Sequence, residues 1–145
     1  DNNCTFCYTK MDFMNQSDWD VMLNSCKFLF VRGEDSLSEA CLSGIPFVWH
    51  AYPQSDDYQL VKVKALLGKM KSFFCEEHFI IIEKIWLYVN NSIEISDSEF
   101  SDNLDIYLFN IEDFTKEFIN FSESLRRNGD LSENLMTFIS KKIIM

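Results

Sequence analysis

Residues 32–36, Arg-Gly-Glu-Asp-Ser, have the composition of a ligand-binding turn. The turn follows an apolar, strand-forming run and precedes a short helical run. Free backbone N–H groups at a helix start, the guanidinium of Arg32 and the close approach that Gly33 permits all favour an anionic group such as a diphosphate. Glu34 and Asp35 repel a diphosphate, unless they bind sugar hydroxyls or a cation, or act as acid and base. A nucleotide-sugar offers both the charge and the hydroxyls.

The elements around this turn are predicted to be a strand, a helix and a second strand. Ser36 is predicted to open the helix, with Glu39 three positions on, which is the spacing of a capping box. Gly44 and Pro46 end the helix, and the apolar run at residues 45–49 is predicted to pair as a parallel strand. In such a unit the turn after the first strand faces the ligand crevice.

A purely structural turn is the alternative interpretation. In that case Asp35 and Ser36 cap the helix, and Arg32 forms an ion pair with Glu34. Capping turns are far more common than binding sites, so the local pattern alone leaves both interpretations open.

A longer string of residues resembles the protein-arginine rhamnosyltransferases that modify elongation factor P. The matching residues are 31–36, Ala40, Gly44, 46–50, 52–54, Asp56, Asp57 and Lys62. Upstream, residues 16–23 resemble a helix of that family and Phe6-Cys7-Tyr8 one of its strands, while residues 130–138 are similar to its terminal helix.

The resemblance implies an α/β fold, namely the Rossmann-like C-terminal half of a GT-B type inverting glycosyltransferase. Residues 1–145 then form one domain that binds the donor, dTDP-rhamnose, whose sugar is transferred to an arginine of elongation factor P. No cofactor is implied besides this donor substrate. The family's N-terminal acceptor-binding half has no counterpart here, so the chain alone is expected to be inactive.

The resemblance also assigns roles to single residues. The diphosphate and sugar are expected to bind at Arg32, Gly33, Glu34, Asp35 and Ser36. The nucleoside is expected to bind at Phe6, Tyr8 and Gln16, and Tyr52 and Gln54 are expected to line the same crevice. Glu34 is the expected catalytic residue, because a guanidinium stays protonated to pH above about 12 and must be polarised during attack.

The absent N-terminal half and the substitution at Glu39 favour a second hypothesis. Glu39 stands where the family usually has Arg, and Gln59 where it has His. Losing a cation beside a diphosphate weakens binding, since a charged hydrogen bond contributes about 1.5 to 3 kcal/mol. The second hypothesis is therefore a non-catalytic nucleotide-sugar-binding or interaction module.

The composition is that of a packed single domain. Hydrophobic residues make up 47% of the 145 residues, which include 14 Phe. The net charge of −10 argues against nucleic acid and anionic membranes as partners. The longest apolar run, residues 79–89, contains Glu83 and Lys84 and is shorter than the roughly 20 residues that span a bilayer.

The five cysteines are scattered, as expected for reduced thiols in a cytoplasmic protein. Cys4 and Cys7 form a C-x-x-C match, but no second Cys pair exists, and His50 and His78 are far apart in the sequence. These cysteines are therefore predicted to be small buried residues, and no metal site is predicted.

The remaining patterns predict further helices. Residues 55–70 and 112–128 are predicted helices, the second with a buried stripe of Phe and an end at Gly129. Residues 79–86 fit a strand or a helix equally well. Residues 90–103 are predicted to be a surface loop with a possible strand at 92–95. Asp130 is predicted to cap the last helix, with Glu133 as its partner.

Overall fold

The computed structural model describes residues 8–143, which form a mixed α/β arrangement of mostly helices and a small parallel sheet. The regular elements are α1 (Gln16–Ser25), β1 (Leu29–Val31), α2 (Glu34–Ser43), β2 (Phe47–Trp49), α3 (Tyr58–Met70), α4 (Glu76–Val89), α5 (Asp97–Phe109), α6 (Ile111–Arg126) and α7 (Leu131–Ile143). Short 3₁₀ turns at Ser55–Asp57 and Lys71–Phe73 flank α3. None of the described helices has the length and apolar character needed to cross a membrane.

The predicted strand, helix and strand unit is confirmed by β1, α2 and β2. The strands pair in parallel, with Leu29 opposite Phe47 and Val31 opposite Trp49. Gly44 ends α2 in the left-handed conformation, at φ 76°, which glycine adopts without the steric cost that a Cβ brings. This turn of backbone returns the chain to the sheet.

Side chains from two helices cover the outer edge of β2. The carbonyl oxygen of Phe47 accepts hydrogen bonds from Trp86 Nε1 and from the Tyr107 hydroxyl, both at 3.2 Å. The amide of Asn90 donates to the Trp49 oxygen at 2.7 Å and accepts from the Ala51 N–H at 2.9 Å. The carbonyls of Phe47 and Trp49 and the N–H of Ala51 are therefore paired although no further strand lies beside them among the described residues.

The core is an aromatic cluster between the sheet, α4, α5 and α6. The predicted Phe stripe of α6 is confirmed, since Phe114, Phe118 and Phe121 are fully buried. Phe118 packs on Phe47 with ring centroids 5.3 Å apart. Ile119 of the same helix is exposed over 43% of its surface and lies against Gly44.

The ambiguous segment at residues 79–86 is helical and lies inside α4. The loop predicted at residues 90–103 is wrong from Asp97 onward, and residues 92–95 do not form a strand. Ser96 caps α5 by accepting a hydrogen bond from the Glu99 N–H at 3.1 Å. Helix α5 forms because Phe100 and Tyr107 pack on the core from one face, which offsets the acidic, Ser-rich composition of its first turn.

The last helix begins as predicted, because Asp130 Oδ1 accepts from the Glu133 N–H at 2.8 Å.

Candidate ligand-binding cleft

The turn after β1 starts α2 three residues earlier than the sequence predicts, because the N-cap is Gly33 and not Ser36. Gly33 is the N-cap of α2, with no side-chain cap, and Glu34 is the first helical residue. Ser36 does not form the predicted capping box, since its hydroxyl donates back to the Gly33 carbonyl at 3.0 Å. The N–H groups of the first turn therefore lack a side-chain cap and can bind an anion.

Arg32 lies against Tyr52 and not against Glu34. Its guanidinium carbon is 4.8 Å from the centroid of the Tyr52 ring, which favours a stacked cation. A Cβ added at Gly33 would lie 3.7 Å from the same ring, so the turn and Tyr52 are in close contact. The Arg32 carbonyl accepts a hydrogen bond from Trp49 Nε1 at 3.0 Å, which anchors the turn to β2.

Glu34 faces α3. Its carboxylate is 3.4 Å from Lys62 Nζ, and both side chains are substantially exposed. Such surface pairs stabilise a fold by only about 0–1 kcal/mol. The structural alternative, in which Glu34 pairs with Arg32 and Asp35 and Ser36 cap the helix, is therefore wrong in each of its contacts.

Two adjoining cavities open beside this turn. The larger, of about 680 Å³, lies between α1 with the segment before it and the start of α2. The smaller, of about 330 Å³, lies between α1, β1 and Tyr52. Trp19 and Ser36 line both cavities. Together they form one cleft, and each volume is close to or within the range of small-molecule sites, roughly 300–1,000 Å³.

The cleft brings together six of the predicted site residues. These are Gln16, Arg32, Gly33, Asp35, Ser36 and Tyr52. Glu34 and Gln54 line neither cavity, and the Gln54 N–H donates to Gln59 Oε1 at 2.8 Å. Tyr8 is 82% exposed and also lines neither cavity. Phe6 and the Cys4–Cys7 pair lie outside the described residues.

Two wall residues of the cleft were missed as site residues by the sequence analysis. Trp19 donates its indole N–H to Glu39 at 2.8 Å, and the amide of Gln16 donates to the same carboxylate at 3.4 Å. Glu39 thus joins α1 to α2 across the cleft. The spacing could have identified both, because Trp19 is three residues after Gln16 and Glu39 is four after Asp35, so that each pair shares a helix face.

A separate cavity of about 240 Å³ lies near the amino ends of the strands, lined among others by Lys27, Pro46 and Glu112. Ligands of open parallel sheets bind at the carboxyl ends of the strands. The cleft beside Arg32 is therefore the better candidate site.

Comparison with known proteins gives the same family throughout. The family model of the Elongation-Factor P (EF-P) rhamnosyltransferase EarP matches residues 3–140. A protein-arginine rhamnosyltransferase of Shewanella oneidensis is 38% identical over 76 residues, which are 52% of this chain and 18% of that protein. One from Neisseria meningitidis serogroup B is 40% identical over 68 residues, 47% of this chain and 18% of that protein.

The same fold occurs in a solved structure that describes the structural basis for EarP-mediated arginine glycosylation of translation elongation factor EF-P. The TM-score is 0.70 at 22% sequence identity, over 89% of this chain and 39% of that one. The chain therefore spans about two fifths of the solved protein and less than a fifth of the curated relatives. Because the family model covers nearly all of these residues, including the turn and the cleft, the chain belongs to the EarP family of elongation factor P rhamnosyltransferases.

Proposed function

We propose that this chain is the donor-binding part of a protein-arginine rhamnosyltransferase, which binds dTDP-rhamnose in the cleft beside Arg32 and passes rhamnose to an arginine of elongation factor P. The observation that supports it most is the cleft itself, where a cationic side chain, uncapped N–H groups and a carboxylate converge. The curated relatives bear the same activity in their names.

The diphosphate would bind at the start of α2. Here the uncapped N–H groups and the guanidinium of Arg32 supply hydrogen-bond donors and positive charge. Stacking on Tyr52 holds the guanidinium in place before the ligand arrives, which lowers the entropy lost on binding. The carboxylate of Asp35 can accept hydrogen bonds from sugar hydroxyls in the larger cavity.

The nucleoside would bind on the α1 side of the cleft. Gln16 and Trp19 lie there, and an amide and an indole can provide hydrogen bonds and an aromatic surface to a base. Phe6 and Tyr8 are proposed to contribute to this subsite as well.

Transfer requires a carboxylate near the acceptor. In an inverting reaction the arginine nitrogen attacks the sugar carbon from the side opposite the leaving dTDP, and loses a proton as the new bond forms. Glu34 is proposed to orient or polarise that guanidine, since its carboxylate is exposed on the first turn of α2, next to the diphosphate site.

The proposed fold context is the Rossmann-like C-terminal half of a GT-B type enzyme, and the parallel β1-α2-β2 unit supports it. The acceptor half would belong to the part of the relatives' length that this chain does not span. A cytoplasmic location is part of the proposal, because the acceptor would be a translation factor.

A second candidate function is a non-catalytic nucleotide-sugar-binding or interaction module. The carboxylate of Glu39 in the wall of the cleft favours it, because a negative charge there opposes an anionic donor.

Calorimetric titration of the 145-residue chain with dTDP, with UDP and ADP for comparison, tests donor binding. We expect saturable binding selective for dTDP, with affinity reduced about 10- to 100-fold in Arg32→Ala and Asp35→Ala, which remove charged hydrogen bonds. Arg127→Ala is the matched control, because Arg127 is exposed and pairs only with Glu123 among the described contacts. Absence of binding, or equal binding of all three nucleotides, would reject the donor-site assignment.

A further inference from the structure

Three side chains of types that can bind metals meet where the start of α4 contacts α6. Cys75 is the N-cap of α4, His78 lies in its first turn, and Glu117 comes from α6. Their potential ligand atoms all lie within 4.8 Å of one another. We call these three residues the α4–α6 cluster. None of them lines the cleft described above, so the cluster is independent of the proposed donor site.

The side chains of His78 and Glu117 are fixed by their surroundings, and the backbone of Cys75 is hydrogen-bonded to one of them. Glu117 Oε1 accepts a hydrogen bond from the Cys75 N–H at 2.8 Å, and Oε2 is 2.7 Å from His78 Nδ1. The His78 ring stacks on the buried ring of Phe114, with centroids 4.1 Å apart. Glu117 and His78 are held in this way and lose little freedom when an ion binds, which favours affinity.

Adjacent packing fixes the backbone of the cluster as well. Phe74, directly before Cys75, is buried and packs edge-on against Phe118 of α6 at 5.0 Å. Cys75 and His78 are three residues apart at a helix start, so both side chains project from the same face. That face meets α6 one residue before Phe118, where Glu117 projects.

The donor set matches zinc. Zn²⁺ binds thiolate and imidazole ligands more readily than Mg²⁺ or Ca²⁺ does, and a carboxylate is a common third ligand of zinc. In a tetrahedral site the donors lie about 3.3–3.8 Å apart, given Zn–N and Zn–S distances of about 2.0–2.3 Å. The present contacts lie on either side of that range, so shifts of about 1 Å complete the geometry.

We propose that the α4–α6 cluster binds one Zn²⁺ through Cys75, His78 and Glu117, with water in the fourth position. Cys75 is exposed, which gives the ion and the water a path from solvent. On binding, the Zn–S bond replaces the S–H bond and the thiol proton passes to solvent. The ion would bind His78 Nδ1 in place of the His78–Glu117 contact, the proton of that contact would pass to Nε2 or to solvent, and the ion would join α4 to α6. Glu76 and Glu77 in the first turn of α4 raise the local concentration of cations.

The experiment is a Zn²⁺ titration of the full 145-residue chain, followed by calorimetry, with Co²⁺ absorption as a report on the ligands. The Cys4→Ser/Cys7→Ser double variant is included because that C-x-x-C pair could also bind metal. Cys26→Ser is the matched control for loss of a thiol elsewhere. Circular dichroism checks that each variant remains folded.

We expect one Zn²⁺ per chain at the cluster, retained in Cys4→Ser/Cys7→Ser and in Cys26→Ser. Cys75→Ser should weaken binding by more than about 100-fold, beyond the 10- to 100-fold cost of an outer-sphere substitution, and should abolish the thiolate-to-cobalt absorption band. Glu117→Gln keeps an oxygen that can accept from the Cys75 N–H, so it should fold normally and still bind Zn²⁺ more weakly. Wild-type affinity in Cys75→Ser, or loss of all binding in Cys4→Ser/Cys7→Ser, would overturn the proposal.

Discussion

Three carboxylates of α2 face different partners, although they lie within six residues of one another. Glu34 contacts Lys62 of α3, whereas Asp35 lines the cleft and Glu39 binds Trp19 and Gln16 across it. On a helix, residues four apart share a face and neighbours do not, which explains why Asp35 and Glu39 line the same cavity while Glu34 points elsewhere. The negative charge that α2 presents to a ligand in the cleft therefore comes from Asp35 and Glu39 and not from Glu34.

Replacing Glu39 should strengthen donor binding. Glu39→Gln removes a negative charge from the cleft wall while its amide oxygen can still accept the Trp19 hydrogen bond. At an effective dielectric constant near 20, relief of about 1 kcal/mol of repulsion corresponds to roughly fivefold higher affinity for dTDP. Calorimetry at low and high salt measures the effect, and Glu123→Gln, a change away from the cleft, is the control. Weaker binding in Glu39→Gln would mean that Glu39 acts mainly by positioning Gln16.

Glu34→Gln should separate binding from turnover. The Glu34–Lys62 pair is exposed, so we expect a change in the free energy of unfolding below about 1 kcal/mol and little change in affinity for dTDP. In a chimera that joins the N-terminal part of the Shewanella oneidensis relative to this chain, transfer should fall by at least about 100-fold, as for loss of a general base.

Rhamnose transfer to elongation factor P measures this, with the unsubstituted chimera as reference. An equal loss of binding and turnover would point to a structural role for Glu34, and an inactive unsubstituted chimera would count against the proposed activity.

At the scale of elements, Gly and Pro residues were the most useful signals, because they mark the ends of helices and strands. Gly33, Gly44 and Pro46 delimit β1, α2 and β2, and the turn could be located from them. The exact start of α2 could not, because Gly33 serves as the N-cap through its backbone alone and frees Ser36 from the predicted capping box. Helix α5 was missed because its first turn is acidic and typical of a loop. Its apolar residues stabilise a helix only through their contacts with the core, which the sequence does not show.

Contacts between distant elements were beyond sequence reasoning. Six cleft residues could be anticipated through the resemblance at residues 16–23 and 31–62, whereas closure of the cleft by Glu39 depends on how α1 packs against α2. The α4–α6 cluster shows the same limit. Cys75 and His78 are visible as a C-x-x-H pair, but Glu117 joins them from 39 residues beyond His78.

Gly44→Ala should destabilise the protein and Gly68→Ala should not. At φ 76° a Cβ on residue 44 is strained, and it would lie 3.1 Å from Ile119 Cγ1. We expect a loss of about 1–3 kcal/mol in the free energy of unfolding. Gly68 lies inside α3 with nothing within 4 Å of an added Cβ, so alanine there should stabilise by about 0.5–1 kcal/mol. Urea unfolding of both variants measures these changes. Equal changes in the free energy of unfolding would contradict the assigned role of Gly44.

At the scale of the whole molecule, the core contains two groups that resist deprotonation. Burial raises the pKa of Tyr107 well above its ordinary value of 10.0, and burial raises that of Cys41 from 9.0 to about 12. Above these ordinary values the unfolded chain loses protons that the folded chain keeps. The contribution of each group to the free energy of unfolding is therefore fully present below its ordinary pKa. Above that pKa it falls by up to about 1.4 kcal/mol per pH unit.

Tyr107→Phe should make the protein less sensitive to alkali. Near neutral pH the change should cost at most about 1 kcal/mol, because Trp86 still donates to the Phe47 carbonyl. Above pH 10.0, the ordinary Tyr pKa, the fall in unfolding free energy with pH should become less steep than in the wild type. Urea unfolding across this pH range, with reduced thiols, measures the slope. Tyr58→Phe, an exposed change, should leave it unaltered, and an unchanged slope in Tyr107→Phe would contradict the argument.

The side chains along the outer edge of β2 also decide in which direction this sheet can grow. Trp86, Tyr107 and Asn90 occupy the backbone positions that a neighbouring strand on that side would need. On β1, Leu29 and Val31 bond towards β2, so the N–H and C=O of Phe30 between them face the opposite edge. A further strand, whether from the same polypeptide or another, can therefore extend the described sheet only beside β1, next to the cleft.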